Sequence, residues 1–442
     1  MSFWSVGAYL LLPYAILSLL WRGMRYAPYL NRWPERFGFL GRPGAKRVIW
    51  VHAVSVGEVR SAAALIVALD ERYPEHRILV TTMTPTGAEQ VEELFGERVS
   101  HAYVPFDFPD SVYRFLNRVH PELAIIAETE FWPNIFAALK RRRVPLFLVN
   151  VRVSQAALRG YLRVPNIVRK MFANADLICP QTELDAERLR TLGAESNRII
   201  VTGNLKFDVE VPQSLLHEGA AVRRQWGRDR PVWIAASTHA GEESRVLDAF
   251  ARLRKTHPAL LLALVPRHPE RFAAVARLCE RRGYTVALRS LDYQEFGPDV
   301  DIVLGDTMGE LQRLYAASDL AFVGGSLVPR GGQNLLEACA VSVPVIFGPH
   351  MFHFEEISAL ALARGAALQV QDPAELAEAV ARWLDRPDLR HAAAEAAHGI
   401  IQDNHGALQR TLQLIDETLA RIGFAVPQRP QTIDAALRRE AE

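Results

Sequence analysis

The chain has 442 residues, 49% of them apolar and 23% charged, with 51 basic against 50 acidic side chains. That balance excludes a chain disordered throughout and argues against a nucleic-acid binder working by bulk charge. Cys179, Cys279 and Cys339 are widely spaced with no CxxC pair, which excludes a disulfide scaffold and disfavours a cysteine zinc site.

The chain opens on an uncharged run, Phe3 to Trp21. As a helix it would span roughly 28 Å, close to the hydrocarbon thickness of a bilayer. Trp4 and Trp21 sit near its ends, and Arg22, Arg25, Arg32, Arg36, Arg42, Lys46 and Arg47 follow against a single acid, Glu35. By the positive-inside rule the body that follows is cytoplasmic. A spanning anchor is the leading reading. Pro13 interrupts the run, so a helix lying in the interface is its rival. A cleaved signal peptide fits poorly, because the positive charge comes after the run. A buried soluble helix would leave the arginines unexplained. The division expected is an anchor over 1–21 and a basic linker over 22–47.

From Val48 short apolar runs alternate with amphipathic segments. Strands are expected at Val48–His52, Ile78–Thr82, Ala102–Pro105, Leu123–Ala127, Leu146–Asn150, Leu177–Cys179 and Ile199–Thr202. Helical patterns lie between them. Strands apolar on both faces that alternate with helices predict a parallel sheet covered on both sides. The pattern pauses over 209–230, read as an interdomain linker. It resumes with strands at Val232–Ala236, Leu260–Val265, Val286–Leu288, Ile302–Leu304, Leu320–Val323 and Val343–Phe347, then helices Ala374–Leu384, Leu389–Asn404 and Ala407–Ile422. Two Rossmann-like, doubly wound α/β domains are expected, over 48–208 and 231–425, facing a cleft, with a polar tail over 426–442. Ligands of such sheets bind outside the carboxyl ends of the strands.

Five stretches at those strand ends carry chemistry. Ser55-Val56-Gly57-Glu58 follows the first strand; Ser55 can cap the next helix, and Glu58 either faces a ligand or complements the helix dipole. Glu128-Thr129-Glu130-Phe131-Trp132 follows a strand and sets two carboxylates beside two aromatics, able to support a base or orient a hydroxyl. Pro266-Arg267-His268-Pro269 makes a rigid corner that could aim Arg267 at a phosphate. In Gly305-Asp306-Thr307-Met308-Gly309-Glu310 the amides near Met308 and Gly309 could meet an anion, while Thr307 and Glu310 have the spacing of a capping box. Two Gly-Gly pairs, Gly324-Gly325 and Gly331-Gly332, precede Asn334, Leu335, Leu336 and Glu337, and Glu337 could take ribose hydroxyls. His350 and His353 raise the question of a metal, but no HExxH or DxD pattern accompanies them. The basic run Lys140–Arg143 suits either a helix end or anionic headgroups.

These stretches resemble the Kdo transferases of lipopolysaccharide assembly, which move 3-deoxy-D-manno-octulosonic acid (Kdo) from CMP-Kdo to a lipid A precursor. The likeness rests on SVGE (Ser55–Glu58), TTMTPTG (Thr81–Gly87), ETEFWPN (Glu128–Asn134), TGNLKFD (Thr202–Asp208), STHAGEE (Ser237–Glu243), PRHPERF (Pro266–Phe272), GDTMGEL (Gly305–Leu311) and FVGGSLVPRGGQNLLE (Phe322–Glu337). It implies a GT-B fold, an inverting reaction, no metal or other cofactor and an inner-membrane location. It also implies Glu58 as general base and Glu128 as its assistant near the acceptor. CMP contacts are implied at Pro266, Arg267, Met308, Gly309, Glu310, Asn334, Leu335, Leu336 and Glu337. Gln333 departs from the family, where some relatives carry His. The partners implied are CMP-Kdo, a phosphorylated lipid A precursor and the membrane. Two other readings stay open: a UDP-sugar transferase or epimerase of the same fold, and a non-catalytic binder of lipid or nucleotide.

Overall fold

The computed structural model describes residues 9, 12–41, 47–208, 211–291, 297 and 299–424. The chain divides into two units, Met1–Asp208 with Gly406–Glu442, and Val209–His405.

The first unit holds six strands: β1 (Arg47–His52), β2 (His76–Thr82), β3 (Ser100–Tyr103), β4 (Pro121–Ala127), β5 (Leu146–Val151) and β6 (Leu177–Pro180). They pair in parallel in the order β3-β2-β1-β4-β5-β6. Both faces of this sheet are covered, so its central strands are mostly apolar, and all six residues of β5 are buried. Alternate residues of β1 feed opposite cores. Val48 and Trp50 pack with Phe115, Phe136 and Met171, while Ile49 and Val51 pack with Leu65, Leu69 and Phe147. The strand expected at Ile199–Thr202 is reduced to one isolated bridge, Ile178 to Ile199.

The second unit holds β7 (Val232–Thr238), β8 (Leu261–Pro266), β9 (Val286–Leu288), β10 (Ile302–Leu304), β11 (Leu320–Val323), β12 (Val345–Phe347) and β13 (Ala367–Gln369), the last absent from the strands expected from sequence. The order is β13-β12-β11-β7-β8-β10-β9, again parallel. In each sheet the strand order reverses beside the first strand. The switch points lie between β1 and β4, and between β7 and β11, where open α/β sheets leave a crevice for ligand.

Two domain boundaries need correction. Within 209–230, read as a linker, Gln213–Trp226 is a helix of the second unit. It buries Val222 and Trp226, and Arg223 bonds Asp319 at 3.0 Å. A Cβ on Gly219 would meet that of Ala316 at 2.5 Å, which shows how closely the backbones approach. The helix Ala407–Arg421, expected in the second domain, belongs to the first unit. Ala407, Ile415 and Leu419 enter the core that holds Leu65 and Leu69. Asp208 accepts from Gly406 N at 2.6 Å and also from Leu408 N, and Tyr73 Oη donates to Asp416 at 2.8 Å.

The N-terminal helix runs Leu12–Arg25, and no helix of the described residues is long and apolar enough to cross a membrane. The spanning anchor is therefore unsupported, and most of the first half of the apolar run lies outside the described residues. Two arginines of the basic stretch have structural work instead. Arg36 is buried against the Tyr103 ring at 4.2 Å and donates to Met83 O at 3.0 Å. Arg32 pairs with Glu35 at 2.8 Å.

Candidate active site

At the first switch point the turns leaving β1 and β4 bring three carboxylates together. β1 ends at His52, and the helix Val56–Ser61 begins four residues later. Ser55 occupies the N-cap position, but its side chain does not cap the helix. Glu58 reaches back instead: Val54 N–H donates to Glu58 Oε2, and Ser55 Oγ stands 3.4 Å from Oε1. That bond fixes the carboxylate at the strand end. Burial pushes the Glu58 carboxyl up to about 8, and the charges of Glu128 and Glu130 add to the effect.

The turn after β4 places Glu128 in left-handed backbone, φ 60°, with its N–H on Val149 O at 2.8 Å. A non-glycine residue there is uncommon and marks a turn held by its surroundings. Thr129 Oγ1 donates to Arg152 O at 2.6 Å. Asp107 caps the following helix from another loop, accepting from Asn134 N at 3.0 Å and Ile135 N at 2.8 Å. Burial raises the Glu130 carboxyl to about 7, with Glu128 adding to the rise. The Tyr161 ring stacks on Phe131 at 5.7 Å, and burial beside Glu130 pushes its hydroxyl up to about 12.

Sequence reasoning missed Lys206. Its Nζ lies 3.5 Å from Glu128 Oε1. Asn150, also in left-handed backbone at φ 54°, delivers it: Asn150 Oδ1 accepts from Leu205 N at 3.0 Å. The cation was visible in TGNLKFD, but nothing in its spacing tied it to a glutamate after β4. Glu130 was visible too, without a role of its own. The first crevice thus collects Glu58, Glu128, Glu130 and Lys206.

The second switch point has different chemistry. Pro266 is the buried last residue of β8, and Arg267 N donates to Thr238 O at 3.0 Å across the β7 turn. The turn with Met308 and Gly309 is open; Met308 is 63% exposed. The capping box read at Thr307 and Glu310 does not form. Glu310 itself precedes the helix Leu311–Ala316, and its carboxylate takes Thr307 Oγ1, Arg289 Nη2 at 3.3 Å and Arg313 Nη1 at 3.2 Å. After the Gly-rich loop the helix begins at Leu336, with Asn334 Oδ1 accepting from Leu336 N at 3.1 Å. Asn334 Nδ2 approaches Glu337 Oε1 at 3.4 Å. Leu335 and Leu336 are fully buried, so neither presents a side chain to solvent.

Glu242, another residue sequence reasoning passed over, builds this crevice's floor. It is fully buried, and its carboxylate accepts from four backbone N–H groups: His239 at 3.1 Å, Gly325 at 2.7 Å, Ser326 at 3.1 Å and Leu327 at 2.9 Å. It ties the turn after β7 to the Gly-rich loop after β11. Glu243 beside it holds Arg271 through two bonds, 2.5 and 3.0 Å. His350 and His353 serve the loop by backbone bonds to Ser326 O and Gly331 O, both 3.0 Å. Among the described residues no group of three His, Cys, Asp or Glu is arranged to hold a metal ion.

Two parallel-sheet units with a charged crevice at each switch point are the framework of a GT-B-like glycosyltransferase, and residues 243–399 match the family model for glycosyl transferases group 1. Residues 31–209 match the model described as 3-Deoxy-D-manno-octulosonic-acid transferase (kdotransferase). The chain is 40% identical over 396 residues to a 3-deoxy-D-manno-octulosonic acid transferase of Haemophilus influenzae, covering 89% of this chain and 92% of that one. It is 40% identical over 415 residues to the Bordetella pertussis enzyme of the same name, covering 90% and 95%. A crystal structure of the C-terminal CMP-Kdo binding domain of WaaA from Acinetobacter baumannii is similar at 34% identity and TM-score 0.41, over 43% of this chain and 100% of that one. The chain belongs to the Kdo transferase family and is a glycosyltransferase of lipopolysaccharide core biosynthesis.

Proposed function

We propose that this enzyme transfers Kdo from CMP-Kdo to a phosphorylated lipid A precursor, with inversion, at the cytoplasmic face of the inner membrane. The observation that carries the mechanism is Glu58, a half-buried carboxylate fixed by Val54 N–H and pushed up to about 8. A general base works best when its pKa lies near the operating pH. Ionised Glu58 takes the proton of a sugar hydroxyl on the acceptor. That oxygen bonds to C2 of Kdo while the bond from C2 to the phosphate oxygen breaks, and CMP leaves with the electron pair from the opposite face. Lys206 offsets the charge of Glu128, so that Glu58 can ionise beside it. Arg267 takes the charge that develops on the CMP phosphate. The nucleoside lies along Pro266, Met308–Glu310 and Asn334–Glu337, and Glu337 accepts from the ribose.

Membrane attachment is supported by one face of the N-terminal helix. Leu17, Leu20, Trp21 and Met24 recur at i, i+3, i+4 and i+7, and all are exposed. Tyr26, Leu30 and Phe39 continue the exposed apolar surface. This pattern suits a helix lying in the headgroup region. Replacing the four helix residues with Gln should release the protein from anionic vesicles in a flotation assay, and unchanged binding would remove this face from the role. For the reaction, detergent-purified protein should convert tetra-acylated, bisphosphorylated lipid A precursor and freshly made CMP-Kdo, with EDTA present, to a product heavier by Kdo. Folded protein that leaves both substrates intact would overturn the proposal.

A further inference from the structure

The second switch point carries more positive charge than one nucleotide phosphate explains. Three turns contribute: Ser237–Gly241 after β7, 267–271 after β8, and 324–333 after β11. Their side chains meet around Gly325, which holds a left-handed backbone, φ 69°. A Cβ on Gly325 would stand 3.3 Å from the His239 ring, 3.6 Å from Arg330 Cβ and 3.6 Å from Gln333 Nε2. Any side chain there would crowd this cluster. The His239 ring meets that of His268 edge-on, with centroids 5.3 Å apart, and Gln333 Nε2 lies 3.1 Å from His239 Nε2. Burial and then the nearby charges of His268, Arg330, Arg267 and Arg271 push His239 down to about 4, so it stays neutral and can bond Gln333.

The two acids beside this cluster, Glu242 and Glu243, are already committed. Glu242 is taken by four backbone N–H groups, and Glu243 by Arg271 and Thr238. Neither His268 nor Arg330 has a carboxylate partner among the described residues. Arg330 is exposed at the rim, with its fork of donors available. A net positive cluster at a topological switch point suits an anion. A guanidinium with neutral donors beside it suits a planar carboxylate, which Arg binds through two parallel bonds.

We propose that His239, His268, Arg330 and Gln333 form a subsite for the carboxylate of the donor sugar, separate from the residues that hold its nucleotide. This rests on the reading of the donor as CMP-Kdo. The carboxylate is attached to C2, the carbon at which the bond to phosphate breaks. Holding it fixes the face that C2 presents to the acceptor, and it selects a ketulosonic acid over aldose donors that lack the group. Donors aimed at one anionic group discriminate against analogues without it.

The test uses full-length enzyme in detergent carrying Arg330→Met, a change at an exposed position. CMP binding is read by calorimetry, and the donor KM from transfer with CMP-Kdo. The expected result is a CMP affinity within about twofold of wild type and a donor KM raised about tenfold or more, the scale for losing a hydrogen bond to a charged group. Arg330→Lys should restore part of the loss. If CMP affinity falls as far as donor affinity, the cluster holds the phosphate. If neither moves, the cluster lies outside the donor site. Either outcome overturns the subsite. Failure of the underlying reading looks different: wild-type enzyme would then neither bind CMP nor consume CMP-Kdo.

Discussion

The two switch points have the same topology and opposite chemistry. Beside β1 and β4 the turns gather Glu58, Glu128 and Glu130, with Lys206 facing Glu128. Beside β7 and β11 they gather His239, His268, Arg267 and Arg330, with Glu242 and Glu243 turned inward onto backbone and Arg271. A parallel sheet supplies a crevice wherever its strand order reverses, and the residues of the turns decide what that crevice does. A carboxylate whose pKa is raised by burial and by neighbouring acids suits proton transfer. Cations set over a framework of bonded acids suit anion binding. In the proposed reaction the two units would therefore divide the work into removing the proton from the acceptor and holding the anionic donor.

The sharpest way to break this comparison is Glu58→Gln. Turnover should fall by ~10²–10⁴ while CMP affinity is kept. A variant that retained turnover would leave the acidic crevice without its base. Next comes Lys206→Met, which strips the countercharge from Glu128. Turnover of wild type should rise with pH through about 8, because Glu58 must lose its proton to act. Without Lys206 that limb should move to higher pH and activity at pH 7 should drop about tenfold, the effect of roughly one pKa unit. Lys206→Arg should restore the profile, whereas a merely structural lysine would leave the limb in place.

Glu58 also makes a stability prediction. Its folded pKa lies above the ordinary carboxyl value, so the folded state binds the proton more tightly than the unfolded one. That contribution is complete below the ordinary carboxyl range and is lost as pH rises through about 8. Thermal melts of Glu58→Gln should lack this decline.

Smaller effects test the scaffolds. Glu242→Gln puts an amide N–H where a carboxylate oxygen met backbone N–H groups, and it should cost about 2–3 kcal/mol, read by urea titration. An unchanged midpoint would mean that the Gly-rich loop does not depend on this latch. Asp208→Ala removes the side chain that accepts from Gly406 and Leu408, and should cost about 1 kcal/mol.

Much of the fold was legible because parallel strands are buried on both faces and write themselves as apolar runs. Of the strands read in the second half, those at 232–236, 286–288, 302–304 and 320–323 lie within or match β7, β9, β10 and β11. The site positions could be picked out for a related reason: they follow strand ends directly. Contacts between distant segments were not legible. TGNLKFD gave no sign that Lys206 meets Glu128, and STHAGEE gave no sign that Glu242 would spend its carboxylate on the Gly-rich loop.

The sequence by itself determined the alternation of strands and helices, two parallel-sheet units, the strand-end positions of the motifs and the family. Periodicity and turn chemistry are local properties, carried by neighbours in the chain. Only the tertiary structure decided which core each amphipathic surface entered. The stripe on Ala407–Arg421 announced that it would be buried, yet the same stripe fits either unit, and packing with Leu65 and Leu69 together with the bonds to Asp208 assigned it to the first. Tertiary structure alone also set the charge of each crevice. That charge depends on which acids are already bonded, and burial and pairing arise only once distant turns meet.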